Sequence, residues 1–292
     1  VNLAVTEDYT WKNDVDLYAD ARSRASGVAG DFVKTGAGTL TIDGSKTLGG
    51  MNLVVAAGSA KMNGAKLLGL STRKDTTVEV NGVLTTTNLT ADAESVYQLD
   101  VLTGKTIGPK EGEISTKNPV WALGERGDGI RVTGTAKGTL NLAVTPKDLE
   151  KGAEESIQLV DVKTAAEGFT VNLVDKTGAK VEALTAGAYD YTLVRKDDAA
   201  NGTDVFLSSL TGDDDIRNTT VTAGSYLGVA AAAQLFDISL HDRMSNRSWL
   251  TANADGSIAN SFWILETVSN ERYGDSTGQI DVHNTASTTT VG

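Results

Sequence analysis

Short apolar stretches that alternate with threonine and other polar residues cover positions 1–210 of the chain. In one of them, Leu40 and Ile42 alternate with threonines, and Gly36 and Gly38 interrupt the run just before. Alternation with a period of two predicts β-strands, because successive side chains of a strand point to opposite faces. The glycines and the Asn-Gly pairs predict tight turns roughly every eight to twelve residues. The region is therefore predicted to consist of many short strands.

Three all-β architectures fit this spacing, namely a sandwich, a barrel and a parallel β-helix. Aromatic residues make up only 5% of the chain, and threonine, asparagine and alanine fill the strands more than bulky side chains do. A sandwich core usually draws bulky side chains from two facing sheets, whereas a solenoid buries the inward row of each coil against its neighbours. The sequence therefore favours a parallel β-helix, a solenoid, with its coils over 1–133.

Apolar density rises over 134–210, where strands are predicted at 138–144, 156–162, 169–174, 189–195 and 205–209. A polar loop with the pair Asn201-Gly202 separates the last two, which predicts a β-hairpin. An uncapped stack of coils presents unpaired strand edges and aggregates. We therefore expect this region to be the most stable part of the chain and to cap the stack. Its predicted core residues are Leu159, Val171, Leu193, Val205 and Leu207.

One apolar helix is predicted in this otherwise all-β chain, over 223–243 and after a polar linker. Its apolar side chains cover the whole circumference, which indicates a helix enclosed by other structure. Gln234 and Asp237 interrupt it and it is short, so it does not suit a membrane span, whereas its alanine run makes it thin enough for a narrow channel. The apolar residues that define it are Tyr226, Leu227, Val229, Leu235, Phe236 and Leu240.

Two further strands are predicted after this helix, within 262–268 and 278–287. Strands of about ten residues joined by a loop are typical of a membrane β-barrel. Two strands cannot close a barrel, in which every backbone group needs a partner. We therefore expect 246–292 to be the start of a barrel and the chain to be an internal piece of a longer protein, since it also lacks a secretory signal at its start.

Composition narrows the functional classes. The formal net charge is −12 at pH 7, which argues against nucleic acid as a partner because phosphate binding needs a cationic surface. The same charge argues against electrostatic docking onto anionic lipid. Cysteine is absent, so disulfides contribute nothing and a reactive-thiol enzyme is excluded. No apolar run is long enough to predict a transmembrane helix.

Few residues suggest chemistry, and each has a simpler structural explanation. His241 and His283 are too isolated for a zinc site, and no glycine-flanked serine accompanies His241. The carboxylates of 213–215 lack the spacing of a calcium loop, so a solvated linker is expected there. An acidic run and a tyrosine pair are expected to be solvated surface and packing residues, respectively. The run consists of Asp148, Glu150, Glu154 and Glu155, and the pair of Tyr189 and Tyr191.

The tripeptide Arg126-Gly127-Asp128 is a sharper candidate, because it lies in the turn-rich stretch 124–129. Such a tripeptide can engage integrins when an exposed loop presents it, and the alternative is an ordinary Asp-Gly turn. It is the one predicted cell-binding feature. The sequence predicts no catalytic, cofactor-binding or metal site.

Several segments, taken in order, resemble the C-terminal half of a bacterial type V autotransporter. Positions 33–42 (VKTGAGTLTI) resemble the passenger-associated repeat of that family. Positions 155–161 and 201–208 resemble the ends of the pertactin-like autochaperone region. Positions 226–243 resemble the linker helix, and 261–283 resemble the first barrel strands. The order of these motifs is more specific than any one of them.

The resemblance implies a domain organisation and a place in the cell. A right-handed β-helix passenger would occupy 1–133, an autochaperone capping region 134–210, a linker and lumen helix 211–245, and barrel strands 246–292. The autochaperone would fold first outside the cell and template the coils behind it. The implied partners are the chain's own β-barrel translocator and the outer-membrane assembly machinery, and the implied location is the bacterial cell surface.

The function that the resemblance implies is non-enzymatic. The chain would be the passenger stem and autochaperone of a displayed adhesin or virulence factor, without cofactor, which engages a host-cell receptor or a second copy of itself. The alternative is the stem of an autotransported enzyme, such as a serine protease or another hydrolase, whose catalytic domain lies upstream. Polysaccharide lyases on β-helices use clustered Asp or Lys and Arg on one coil face, and the sequence shows no such cluster.

Overall fold

The computed structural model describes residues 1–46, 48, 50–104, 120–147, 152–187, 189–198, 202–210, 255, 264–274 and 281–291. The chain divides into two compact units, Val1–Asp213 and Asp214–Gly292. The predicted linker and helix at 211–245 lie outside the described residues. Among the described residues, no helix has the length and apolar character that crossing a membrane requires.

Short strands dominate the described part of the first unit. Its elements are β1 (Asn2–Ala4), β2 (Tyr9–Trp11), α1 (Ala21–Ser26), β3 (Asp31–Thr35), β4 (Thr39–Asp43), β5 (Asn52–Val55), β6 (Ser59–Asn63), β7 (Lys66–Thr72), β8 (Thr77–Asn81), β9 (Val83–Ala91), β10 (Val96–Val101), β11 (Val120–Trp121), β12 (Gly129–Pro146), β13 (Ser156–Ala165), β14 (Thr170–Val174), β15 (Leu184–Ala186), β16 (Tyr189–Asp198) and β17 (Gly202–Ser208).

Most strands pair in parallel with the second strand along the chain, which produces two ladders. One ladder runs β1–β3–β5–β7–β9–β12–β13, and the other runs β2–β4–β6–β8–β10–β12–β14. One strand of each ladder and the corners between them form one coil, and the successive coils form what we call the stack. The predicted all-β, β-helix-like fold is thus confirmed in its mostly parallel pairing, which two opposed antiparallel layers would not show.

The core of the stack consists of inward columns that the register aligns. In the first ladder, the aligned buried residues are Phe32, Leu53, Leu70, Leu89 and Ala136. In the second ladder they are Leu40, Ala60, Val78, Tyr97, Leu142 and Leu173. Each residue packs on the equivalent residue of the next coil, which is how a solenoid builds a continuous core.

The helix α1 lies between β2 and β3 and was not predicted. Asp20 precedes it, and its carboxylate accepts a hydrogen bond from the backbone N–H of Ser23 at 2.7 Å. Gly27 ends it with a left-handed backbone conformation, at φ 69°. This arrangement is an N-cap followed by a glycine C-cap, a pattern that the sequence shows but that alternation does not detect.

The stack ends in antiparallel strands. β12 spans position 134, although its pairing with β9 and with β13 shifts register just after Val132, and parallel pairing continues into β13 and β14. The change of pairing comes where β17 pairs antiparallel with β13, followed by β16 and then β15. We call β15, β16 and β17 the cap. The hairpin predicted around Asn201-Gly202 is confirmed, because Asp198 pairs with Gly202 across it.

The second unit contains an antiparallel pair, β18 (Ile264–Gly274) and β19 (Asp281–Val291), with Ile264 opposite Val291. Both strands overlap the predicted ones and extend beyond their C-terminal ends. Residues of β18 and β19 that share one face by register are exposed, and most of them are polar. They are Glu266, Val268, Asn270, Arg272, His283, Thr285, Ser287 and Thr289.

Candidate functional site

The predicted folding-seed residues lie mainly where the stack meets the cap. Leu159 of β13 is buried, as are Val205 and Leu207 of β17. Leu193 of β16 is partly buried and directly opposite Leu207. Val171 lies elsewhere, because β14 pairs with β12 in the second ladder. The structure therefore brings together four of the five predicted core residues around the antiparallel junction.

A buried carboxylate, Glu155, occupies the centre of this junction, immediately before β13. Its side chain is 0% exposed. One oxygen, Oε1, accepts a hydrogen bond from the backbone N–H of Gly104 at 2.8 Å and lies 2.8 Å from the Tyr191 hydroxyl. The other, Oε2, accepts from the indole N–H of Trp121 at 2.8 Å. The prediction of a solvated acidic run was therefore wrong at Glu155.

The sequence offered one signal for this burial. Glu155 is two residues before Ile157 and therefore shares its inward face by strand alternation. A charged side chain in that position is unusual, because an ionised group inside a protein needs partners for all of its polar atoms. Asp148 and Glu150, two other members of the acidic run, lie outside the described residues.

A second layer of hydrogen bonds surrounds Glu155. The Tyr191 hydroxyl also accepts from the backbone N–H of Ala153 at 3.0 Å. The Ser209 hydroxyl accepts from the N–H of Glu155 at 3.0 Å, and the N–H of Ser209 donates to the Glu155 carbonyl at 3.0 Å. Burial raises the pKa of Tyr191, so the phenol stays protonated. Tyr191 is thus a packing residue, as predicted, and Tyr189 is partly buried against the same core.

The tripeptide Arg126-Gly127-Asp128 lies beside this network and not on an exposed loop. Arg126 is 3% exposed, and its guanidinium lies 3.6 Å from the centre of the Trp121 ring. Burial lowers the pKa of Arg126, and the nearby Glu155 partly offsets that effect. A buried guanidinium on an aromatic face is a cation–π contact within the protein.

Asp128 also faces the protein. Its carboxylate accepts hydrogen bonds from the backbone N–H groups of Gly82 at 2.6 Å and Asp100 at 2.7 Å. Gly127 between them has φ 119°, and a Cβ there would lie 2.2 Å from the Asp100 carbonyl oxygen. The exposed presentation that integrin binding requires is not found, and the tripeptide instead holds a corner of the stack.

Lys34 is a third buried charged residue, after Glu155 and Arg126, and it was not predicted. It is 0% exposed, and its ammonium donates to the carbonyl of Gly36 at 2.8 Å and to that of Ala57 at 2.5 Å. Gly36 belongs to the corner of the same coil and Ala57 to the corner of the next. Desolvation lowers the pKa of Lys34. Its position two residues after the buried Phe32 was the available signal, since alternation puts both on the inward face.

The remaining candidates do not assemble into a site within the described residues. His283 is exposed on β19 and pairs in register with Arg272. His241 and the carboxylates of 213–215 lie outside the described residues. In the described part of the chain, no group of three or more His, Cys, Asp or Glu side chains could hold a metal ion.

Comparison with known proteins gives no relative. No family model, curated protein or solved structure matches the chain.

Proposed function

We propose that this chain is the C-terminal passenger stem and autochaperone of a bacterial type V autotransporter, without enzymatic activity of its own. In this proposal the stack is a right-handed β-helix and the cap is the seed that folds first outside the cell. The helix predicted at 223–243 occupies the lumen of the translocator barrel, and β18 and β19 are the first strands of that barrel.

The observation that supports this proposal most is the change from parallel to antiparallel pairing at β13. A seed must be stable before the coils exist, and antiparallel hairpins form from local contacts faster than parallel coils do. β16 and β17 are consecutive strands joined by a short connection, so their pairing needs no other part of the stack. β13 then offers a template edge on which a parallel strand such as β12 can add.

The second unit supports the same proposal in a weaker way. Antiparallel strands of this length that are joined by a loop suit a barrel, and their exposed polar face suits a water-filled lumen. The proposed partners are therefore the chain's own translocator barrel and the outer-membrane assembly machinery. The proposed location is the bacterial surface, where a host-cell receptor or a second copy is the remaining partner class.

Surface display of the chain, fused to a complete barrel, tests the proposal. Val205→Asp and Leu207→Asp each place a charge in the fully packed junction, which costs several kcal/mol unless the charge finds a partner. We expect both variants to lower the displayed passenger by about tenfold or more, as measured by protease accessibility on intact cells. Leu193→Asp, at a partly buried position, should have a smaller effect.

Thr192→Asp is the matched control, because Thr192 is the exposed neighbour of Leu193 on the same strand. It adds the same charge without burying it, so display should remain at the parental level. Normal display of Val205→Asp and Leu207→Asp would refute the role of the cap as a folding seed.

A further inference from the structure

Glu155 contacts elements that are far apart in the sequence. Its carboxylate contacts Gly104, just after β10 in the second ladder, and Trp121 in β11. It also contacts Tyr191 of the cap strand β16. Glu155 itself immediately precedes β13, the last strand of the first ladder. Both ladders and the cap therefore meet on one side chain.

All three of these partners are hydrogen-bond donors that face a carboxylate with no access to water. Hydrogen bonds to a charged acceptor are stronger than neutral ones, and a buried donor that loses its acceptor pays the full cost of desolvation. Loss of the carboxylate would therefore leave unpaired donors on the cap side and on the stack side at once.

We infer that Glu155 couples the cap to the last coils of the stack, so that the two open and close as one cooperative unit. Glu155 would then be the residue that links the folding seed to the coils. The importance of this link for export rests on the proposed function. Without this link, the cap strands β16 and β17 would open separately from the rest of the stack.

The backbone near Glu155 reinforces the same link. Ser209, the residue after β17, forms hydrogen bonds with Glu155 through both its hydroxyl and its N–H. The Tyr191 hydroxyl joins Glu155 to the backbone of Ala153. These contacts hold the carboxylate in one position. A buried polar network in which every group has a partner is rigid and specifies one arrangement of its members.

Hydrogen exchange measured by mass spectrometry on the purified full chain tests the coupling. Glu155→Gln keeps the size of the side chain, but its NH₂ group faces at least one of the three donors. We expect the amides of β16 and β17 to exchange at least about tenfold faster in this variant. The amides of β4, β6 and β8, in the middle of the stack, should keep the parental rates.

Glu167→Gln is the matched control, since Glu167 is exposed in the turn before β14 and the substitution removes the same charge. Its exchange rates should be parental throughout. Two results for Glu155→Gln would overturn the inference: unchanged rates in the cap, or rates that rise equally in the cap and in β4, β6 and β8. The second result would mean a general loss of stability without separate opening.

Tyr191→Phe keeps the test decisive if Glu155→Gln does not fold. It removes only the hydroxyl that reaches Glu155 and Ala153, and we expect cap amides to exchange about threefold to tenfold faster, again without a change in β4, β6 and β8. Parental rates, or a uniform rise, would overturn the inference. Neither hydrogen-exchange measurement involves export. The coupling can therefore be supported while the display assay refutes the seed role, and the display assay can support the seed role while the coupling is overturned.

Discussion

At the scale of single residues, two charged side chains of the described residues have no exposed surface. Lys34 and Glu155 are both fully buried, and each occupies a position that strand alternation assigns to the interior. Alternation with Phe32 and Ile157 therefore predicts that both side chains face inward, but it does not predict their hydrogen-bond partners. Those partners are backbone groups and side chains of other coils, which only the three-dimensional register brings close.

We expect Lys34→Met to destabilise the stack by about 1–3 kcal/mol, because it leaves the carbonyls of Gly36 and Ala57 without their donor. Urea denaturation followed by tryptophan fluorescence measures this change. The control is Lys61→Met on the partly exposed face of β6, which removes an ion pair with Glu79 and should cost less than about 1 kcal/mol. A Lys34→Met protein as stable as the parent would mean that burying the charge costs as much as its hydrogen bonds contribute.

At the scale of elements, the corners between strands were well predicted and the pairing partners were not. Glycine positions indicated turns, and Gly36 indeed adopts φ 81°. The sequence could not show that β12 is a single long strand that serves both ladders, since strand length there depends on neighbours on each side. The short helix α1 was missed because its signal lies in its caps and not in hydrophobic periodicity.

Alanine substitutions at two corner glycines distinguish the cost of backbone strain from the cost of a steric clash. Gly36 and Gly64 have similar positive φ values, but a Cβ at Gly36 would lie 2.4 Å from the Val5 carbonyl oxygen, whereas a Cβ at Gly64 meets nothing within 4 Å. Gly64→Ala should cost about 1–2 kcal/mol from strain alone. Gly36→Ala should cost about 1–3 kcal/mol more. Equal denaturation midpoints for the two variants would contradict the close packing of successive corners.

The junction of β13 and β17 predicts a dependence of stability on pH. Asp161 and Asp204 are directly opposite in the antiparallel pair. Burial, with the Asp161 charge as a further cause, raises the pKa of Asp204 above the ordinary 3.8. The folded protein therefore binds this proton more tightly than the unfolded chain does, and the stabilising effect disappears as pH rises through the raised pKa.

Asp204→Asn should remove this loss, because the amide carries no charge at any pH and its oxygen can still accept from the Gln158 side chain, as Asp204 does at 2.8 Å. Thermal unfolding between pH 3 and pH 7 measures the effect. The stability of the variant relative to the parent should therefore increase as pH rises. Asp190→Asn, which removes the charge of a partly buried aspartate elsewhere in the cap, is the control. Parallel pH profiles for Asp204→Asn and the parent would contradict the raised pKa of Asp204.

At the scale of the whole molecule, the sequence predicted the class of fold better than the position at which the stack gives way to the cap. Short alternating strands and small inward residues indicated a stack, and the denser region indicated a cap. The predicted boundary at position 134 falls within β12, whose pairing with β9 and with β13 shifts register just after Val132. The switch in pairing depends on which edge of β13 remains available, and that is a property of the assembled ladders and not of any local segment.

Parallel pairing continues although paired strands are separated by very different lengths of chain. Leu70 pairs with Leu89, whereas Leu89 pairs with Ala136, and all three share one inward column. Doubling the length of a connection costs only about 0.6 kcal/mol, so a rung is insensitive to how far the polypeptide travels before it returns. We therefore expect epitopes or whole foreign modules inserted into such long connections to leave the strand pairing of the stack unchanged.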